Sequence, residues 1–360
     1  MLRTAPAVFA VDDKYHIMVP VTGSSVLWVK IGENEYYDES NGILRSEVSI
    51  HRVTVPMEEL DRIGEYTIFE RPIIERKPYF PTTMPAVEKT VKFRPIKPNQ
   101  EIRAYHLSDT HNRTVGPIAA ARVFGDIDLL ILNGDIPDHS GSAENMMTVY
   151  MLVSELTRGQ IPTVFSRGNH DMRGLCAEKF AEYTPNSKGN TYYTFRLGSL
   201  WGLVLDCGED KPDSHEEYGN MICCHAFRRR ETEFIRSVIA NARNEYEKEG
   251  VENKVVIVHN PFTTKKESPF DIEEDTYNEW GKLIKENIKP DLMICGHTHE
   301  IGVHGQDSSY DDFSQPCTLV VASAINGEYY IGCGFNFSND SITATFTDSN
   351  GEVISTHKIK

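Results

Sequence analysis

The 360 residues contain no excess of basic charge, no long apolar run and no paired-cysteine motif, and each absence argues against a class of function. Lys and Arg number 37 against 53 Asp and Glu, for a formal charge of −16. A field of that sign repels polyanions, so nucleic acid and anionic membrane surfaces are disfavoured partners. The longest basic stretch is the triplet Arg228-Arg229-Arg230, on a predicted helix. No apolar run reaches the roughly 18 residues that span a bilayer. The seven cysteines (Cys176, Cys207, Cys223, Cys224, Cys295, Cys317 and Cys333) are odd in number, scattered and free of CxxC pairs. They indicate neither a disulfide framework nor a zinc ribbon and favour a reducing compartment. The opening MLRTAPAVFAVDD has too little apolar text for a signal peptide. The expectation is a cytoplasmic protein without a membrane partner.

What is present is a globular composition, 39% apolar, long enough for a sizeable core. From about Val8 to Lys92 short apolar or alternating runs (VFAV, YHIMVPV, SVLWVKI, VSIHRVTV, EYTIFER) follow one another, several parted by turn formers such as Asn41-Gly42. This predicts a small all-β sandwich over 1–97. The segment PIKPNQ reads as a linker, and a second domain is expected over 98–360. There apolar strands at 102–108, 127–133, 162–167, 201–207, 254–259 and 291–296 alternate with helices expected at 116–124, 143–157, 174–183, 225–248 and 273–288, the pattern of a layered α/β core. The tail from Thr318 returns to strand-like text with a turn at Ser349-Asn350-Gly351; its strands are expected in a second sheet of the catalytic domain.

Five blocks join metal-binding side chains to the ends of predicted strands, where α/β folds build their sites. They are Asp109-Thr110-His111, Gly134-Asp135, Gly168-Asn169-His170-Asp171, His259-Asn260-Pro261 and Gly296-His297-Thr298-His299. Asp109 and His111 alternate onto one side of a strand end and can clasp one cation. Asp135 has two oxygens to share between two ions, and Gly134 lets the backbone come close. His297 and His299 repeat the i, i+2 spacing, one imidazole for each metal, while Asn169 and His259 complete the second. Carboxylate, amide and imidazole without thiolate point to Mn, Fe, Zn, Co or Ni. Each block alone reads equally well as a turn or a polar pair; five together, each at a strand terminus, do not.

These blocks resemble the calcineurin-like metallophosphoesterase superfamily, whose pattern is DxH, GD, GNH[DE], H and GHxH, over residues 102 to about 325. The resemblance implies a four-layer α/β/β/α sandwich, with Asp109, His111 and His299 on the first metal, Asn169, His259 and His297 on the second, Asp135 bridging, and His170 catalytic. It implies hydrolysis of phosphomono- or diesters by in-line attack of a metal-bound hydroxide, with a small phosphate ester as substrate.

Near these positions, Asp171 is a candidate to orient an imidazole or to cap a helix, and Arg173 is a candidate phosphate clamp or a solvated surface residue. Asn112 could meet substrate or cap a turn, and His139 lies just past Asp135. The acidic, turn-rich segment 208–220 could be a flap over the site or a surface loop.

The N-terminal strands resemble the Ig-like domain of purple acid phosphatases. The tyrosine ligand those enzymes carry shortly after the GD block is missing from GDIPDHS, which argues against a purple iron centre. The rival readings are a nuclease of the same superfamily, against which the acidic balance speaks, and a non-catalytic metal-binding scaffold, against which the intact blocks speak.

Overall fold

The apolar runs become strands because they can be buried on both faces. Leu129–Asn133 and Ile102–Leu107 run parallel, and Leu129 and Ile131 face one core while Leu130 and Leu132 face another. Two-sided burial of this kind belongs to parallel strands covered above and below. The computed structural model describes residues 2–360.

One sheet runs in the order Val353–Lys358, Ile342–Asp348, Tyr329–Phe337, Ile102–Leu107, Leu129–Asn133, Thr163–Ser166, Ala7–Val11, Lys14–Pro20, Ile50–Pro56. A second runs Tyr193–Leu197, Leu200–Leu205, Asn253–Val258, Leu292–Cys295, Leu319–Ala322, Ile301–His304. Their facing sides share one core, in which Ala104, Ile131 and Val164 meet Val204, Ile257 and Ile294. Helices Val115–Phe124 and Ala143–Thr157 cover the outer face of the first sheet through Ala120, Met146, Val149 and Leu152. Helices Cys224–Ala240 and Glu274–Leu283 cover the second through Ile235, Val238 and Trp280. The result is the expected four-layer α/β/β/α sandwich with a β-rich N-terminal part.

Several elements differ from their sequence reading, each for a tertiary reason. Ala7–Val11, Lys14–Pro20 and Ile50–Pro56 extend the first sheet: Phe9 pairs in parallel with Thr163. Residues 93–101 hold no strand or helix, yet sheet pairing and core both cross that point, since Val8, Leu27 and Tyr66 belong to the same cluster as Ile102. Ser25–Ile31, Glu65–Glu75 and Val87–Lys92 form a smaller sheet with Asn34–Tyr37. In the tail, Leu319–Ala322 lies in the second sheet, but the last three strands extend the first, Cys333 opposite His106. The helix expected at 174–183 is reduced to Phe180–Tyr183 behind a short turn. The one expected at 225–248 stops at Ala240, because beyond its apolar stripe Tyr246 packs edge-on against Trp201 at 5.4 Å.

His16 is buried on Lys14–Pro20 with Nδ1 unpartnered, and burial, aided by the Arg52 charge, pushes its pKa down to about 3. The unfolded chain takes a proton near the ordinary value of about 6.5 and the folded chain does not, so stability is lost as pH falls through that window. The contribution is about 2 kcal/mol by pH 5. Urea midpoints at pH 7.5 and pH 5 should therefore separate less in His16→Leu than in the unsubstituted protein; an equal separation would show that His16 does not carry the effect.

Candidate metal centre

The chain bends sharply just past the parallel strands. Asp109, His111, Asp135, His297 and His299 all take left-handed backbone angles, with φ between 43° and 72°. That region is sparsely populated for residues with a Cβ, and Asp and His tolerate it better than most. The strain is held by main-chain bonds between loops: Asp109 N donates to Gly134 O at 3.1 Å, and His111 N to Asp135 O at 3.1 Å. Gly134 is required at its position, because a Cβ there would stand 2.6 Å from Gly168 Cα and from His259 Nδ1. Stored strain of this kind turns side chains inward at the cost of local stability.

The inward side chains form three overlapping groups: Asp109, His111 and His299; His111, Asp135 and His170; and Asp135, His259 and His297. In each group the donor atoms lie within 4.8 Å of one another. Asn169 joins the last, its Oδ1 3.1 Å from His297 Nδ1. Asp109 is completely buried and held from behind, Ser108 Oγ donating to its Oδ2 at 2.6 Å and Ser323 Oγ at 2.8 Å. His259 has its Nδ1 2.7 Å from Asn133 O. That bond fixes the Nδ1–H tautomer and turns the Nε2 lone pair toward Asp135 Oδ2, 3.2 Å away.

Electron-rich atoms that face each other this closely share a cation, either a proton or a metal ion. His259 Nε2 has no hydrogen-bond partner, and His111 Nε2 likewise faces His299 Nε2 at 3.2 Å. Burial would push the Asp109 and Asp135 carboxyls up, but His259 and, for Asp109, His299 outweigh it and hold them below the usual range. Against its own burial, His259 is raised to about 10 by Asp135 and Asp109. The field that would draw a proton to Nε2 draws a metal ion there as well. The donor set fits transition-metal ions.

A family model described as calcineurin-like phosphoesterase matches residues 102–300. The chain belongs to that family. It is accordingly a metal-dependent hydrolase of phosphoric esters. Among solved structures, the chain is similar over 100% of its length to 75% of the purple acid phosphatase PPD1 of yellow lupin (Lupinus luteus), at 13% identity and TM-score 0.59; at that identity the likeness concerns the fold. Similarity is also found to Vps29 of Entamoeba histolytica in complex with zinc (11% identity, 72% of this chain, 100% of that one, TM-score 0.32) and to Vacuolar Protein Sorting 29 of Cryptosporidium parvum (10%, 72%, 97%, TM-score 0.36). No curated protein matches the chain in sequence. No helix among the described residues is long and apolar enough to cross a membrane.

The other candidates of this phosphoesterase have definite surroundings. His170 N donates to Asp135 Oδ1 at 2.9 Å, and its Nδ1 lies 2.8 Å from Asp138 O. Asp171 is buried, and its Oδ2 accepts from Gly168 N at 2.7 Å and Asp135 N at 3.2 Å. It thus ties two of the loops together rather than orienting an imidazole. Burial, then the Asp135 charge, pushes its pKa up to about 8. Arg173 spends two nitrogens on Glu209. Asn112 is exposed and accepts from Thr148 Oγ1 at 3.2 Å. The ring of His139 accepts from Gly141 N at 3.0 Å beside the start of helix Ala143–Thr157. Sequence reasoning missed Asp138, whose Oδ1 is 3.3 Å from His111 Nδ1, and Asp210, whose Oδ2 is 3.7 Å from His297 Nε2. It also missed the two serines behind Asp109. Asp138 was within reach of the sequence, being three residues past Asp135; Asp210 lay in the acidic segment 208–220 with nothing to mark it as a partner of His297, and Ser323 carried no local signal.

Proposed function

We propose that the protein hydrolyses small phosphate esters at a dinuclear centre. In this reading Asp109, His111 and His299 hold one ion, Asn169, His259 and His297 hold the other, and Asp135 is shared. The observation that carries it is the overlap of donor groups, in which Asp135 belongs with His111 on one side and with His259 and His297 on the other. Bound ions of the Mn, Fe, Zn, Co or Ni type would supply Lewis acidity, favouring deprotonated water near neutral pH and drawing charge from the phosphoryl oxygens.

The chain's own part is orientation and proton handling. With His170 Nδ1 on the Asp138 carbonyl, proton exchange is confined to Nε2, which lies 4.0 Å from Asp135 Oδ2. A proton held there is at the edge of the donor groups, where a leaving oxygen needs one. Metal cations would neutralise the buried carboxylates in place of solvent, and a preorganised polar pocket of this kind needs little rearrangement as charge shifts.

The test is turnover of nitrophenyl phosphate and bis(nitrophenyl) phosphate by protein loaded with Mn, Zn or Fe. Hydrolysis of at least one is expected, lost on chelation and restored by metal. Hydrolysis of neither, with two ions bound per chain, would overturn the reading.

A further inference from the structure

The guanidinium of Arg173 is divided between two tasks. Nε donates to Glu209 Oε1 and Nη2 to Glu209 Oε2, each at 2.9 Å, and Glu209 is 1% exposed. The segment carrying Glu209 is fixed from behind by buried Arg228, which donates from Nη2 to Glu209 O and from Nε to Cys207 O at 2.7 Å. The Nη1 of Arg228 lies 3.1 Å from Glu273 Oε1. Such a fork on a buried carboxylate fixes the plane of Arg173. It leaves one arm, Nη1, which stands 3.4 Å from His170 Nε2 and 3.3 Å from Glu217 Oε1.

Glu217 belongs to the acidic segment 208–220, for which the sequence allows a flap or a surface loop, and its side chain is 37% exposed. Its carboxylate also receives Lys211 Nζ, and His215 Nδ1 lies 3.9 Å away. The Glu217 carboxylate is thus gathered by a guanidinium, an ammonium and an imidazole, and the guanidinium arm that meets it also reaches the catalytic-histidine candidate.

We propose that Arg173 and Lys211 form an anion subsite beside His170, that Glu209 is the positioning residue that aims it, and that Glu217 is its internal occupant, displaced by the phosphate group of a phosphomonoester. This rests on the phosphoesterase function argued above and narrows it. A phosphomonoester dianion can replace the single charge of Glu217 on the two cations and still present charge to the metal ions that the donor groups around Asp135 would hold. A diester brings one charge for both tasks, so the arrangement selects monoesters.

Inorganic phosphate is the probe, measured on Mn-loaded protein both by calorimetry and as a competitive inhibitor. Glu217→Gln, at a half-exposed position, is expected to tighten phosphate about three-fold to five-fold, the scale of one exposed ion pair removed. Glu209→Gln is expected to weaken it, and Glu209→Asp to restore part of the loss, with the change read in KM more than in kcat. In the unsubstituted protein kcat/KM for nitrophenyl phosphate should exceed that for bis(nitrophenyl) phosphate. Normal ester turnover with phosphate affinity unchanged by Glu217→Gln overturns the subsite and leaves the hydrolase standing. Tightening by calorimetry in a protein that turns over neither ester supports the subsite while the hydrolase reading falls. A diester preference overturns the substrate class.

Discussion

Asp135→Asn should leave the protein folded, strip it of metal and lower kcat/KM by at least about a thousand-fold, the scale on which single electrostatic contributions to catalysis are lost. The side chain keeps its shape, and an amide oxygen can still accept from His170 N, which now donates to Oδ1 at 2.9 Å. The second anionic oxygen is lost. Oδ2 faces His259 Nε2 at 3.2 Å, and Asp135 belongs to two of the three donor groups, so under the proposed dinuclear reading one substitution should weaken both metal positions. Asp109→Asn makes the contrast. Asp109 belongs only to the group with His111 and His299, and its loss should release one ion while the other stays. Metal content per chain, measured after gel filtration, decides between them. Two ions retained by Asp135→Asn would sink the shared-carboxylate assignment whatever happened to turnover.

Much of this arrangement was legible in the sequence because the signals were local. A run such as IDLLILN ending in Gly134-Asp135 announces a buried strand and the loop after it, and Leu129–Asn133 forms within that span. The i, i+2 spacing suggested that Asp109 and His111 would share one ion and that His297 and His299 would serve one ion each, and the donor groups divide in the same way, His299 with Asp109 and His111, His297 with Asp135 and His259. The route to that outcome differed. The spacing argument assumed strand geometry, whereas the structure reaches it through left-handed turns at all four residues, a conformation no periodicity reveals.

Tertiary choices were not legible. The pattern of Ala7–Val11 says strand, but not which sheet it will join, and its link to Thr163 is a pairing across more than a hundred and fifty residues. Arg173 was visible as a cation near phosphate chemistry. Its partner Glu209 lies 36 residues on, in text that reads only as acidic loop. Buried carboxylates that aim other residues carry no motif, since their role is defined by what folds against them.

His170→Gln is expected to lower kcat by about a hundred-fold to ten-thousand-fold, the usual contribution of a positioned acid or base, with two metal ions still bound. Its ring sits at the margin of the donor groups: Nε2 is 4.0 Å from Asp135 Oδ2 and 3.4 Å from Arg173 Nη1, and Nδ1 is spent on the Asp138 carbonyl. Glutamine can keep a hydrogen bond there but cannot carry a proton to the departing oxygen. The loss should therefore depend on the leaving group. Nitrophenolate departs without help, whereas phenolate and aliphatic alkoxides need a proton as the bond to phosphorus breaks. Hydrolysis of phenyl phosphate should then fall further than that of nitrophenyl phosphate in the same variant. Equal losses for the two esters would assign His170 to holding the phosphoryl group beside Arg173, and would remove it as the source of the proton.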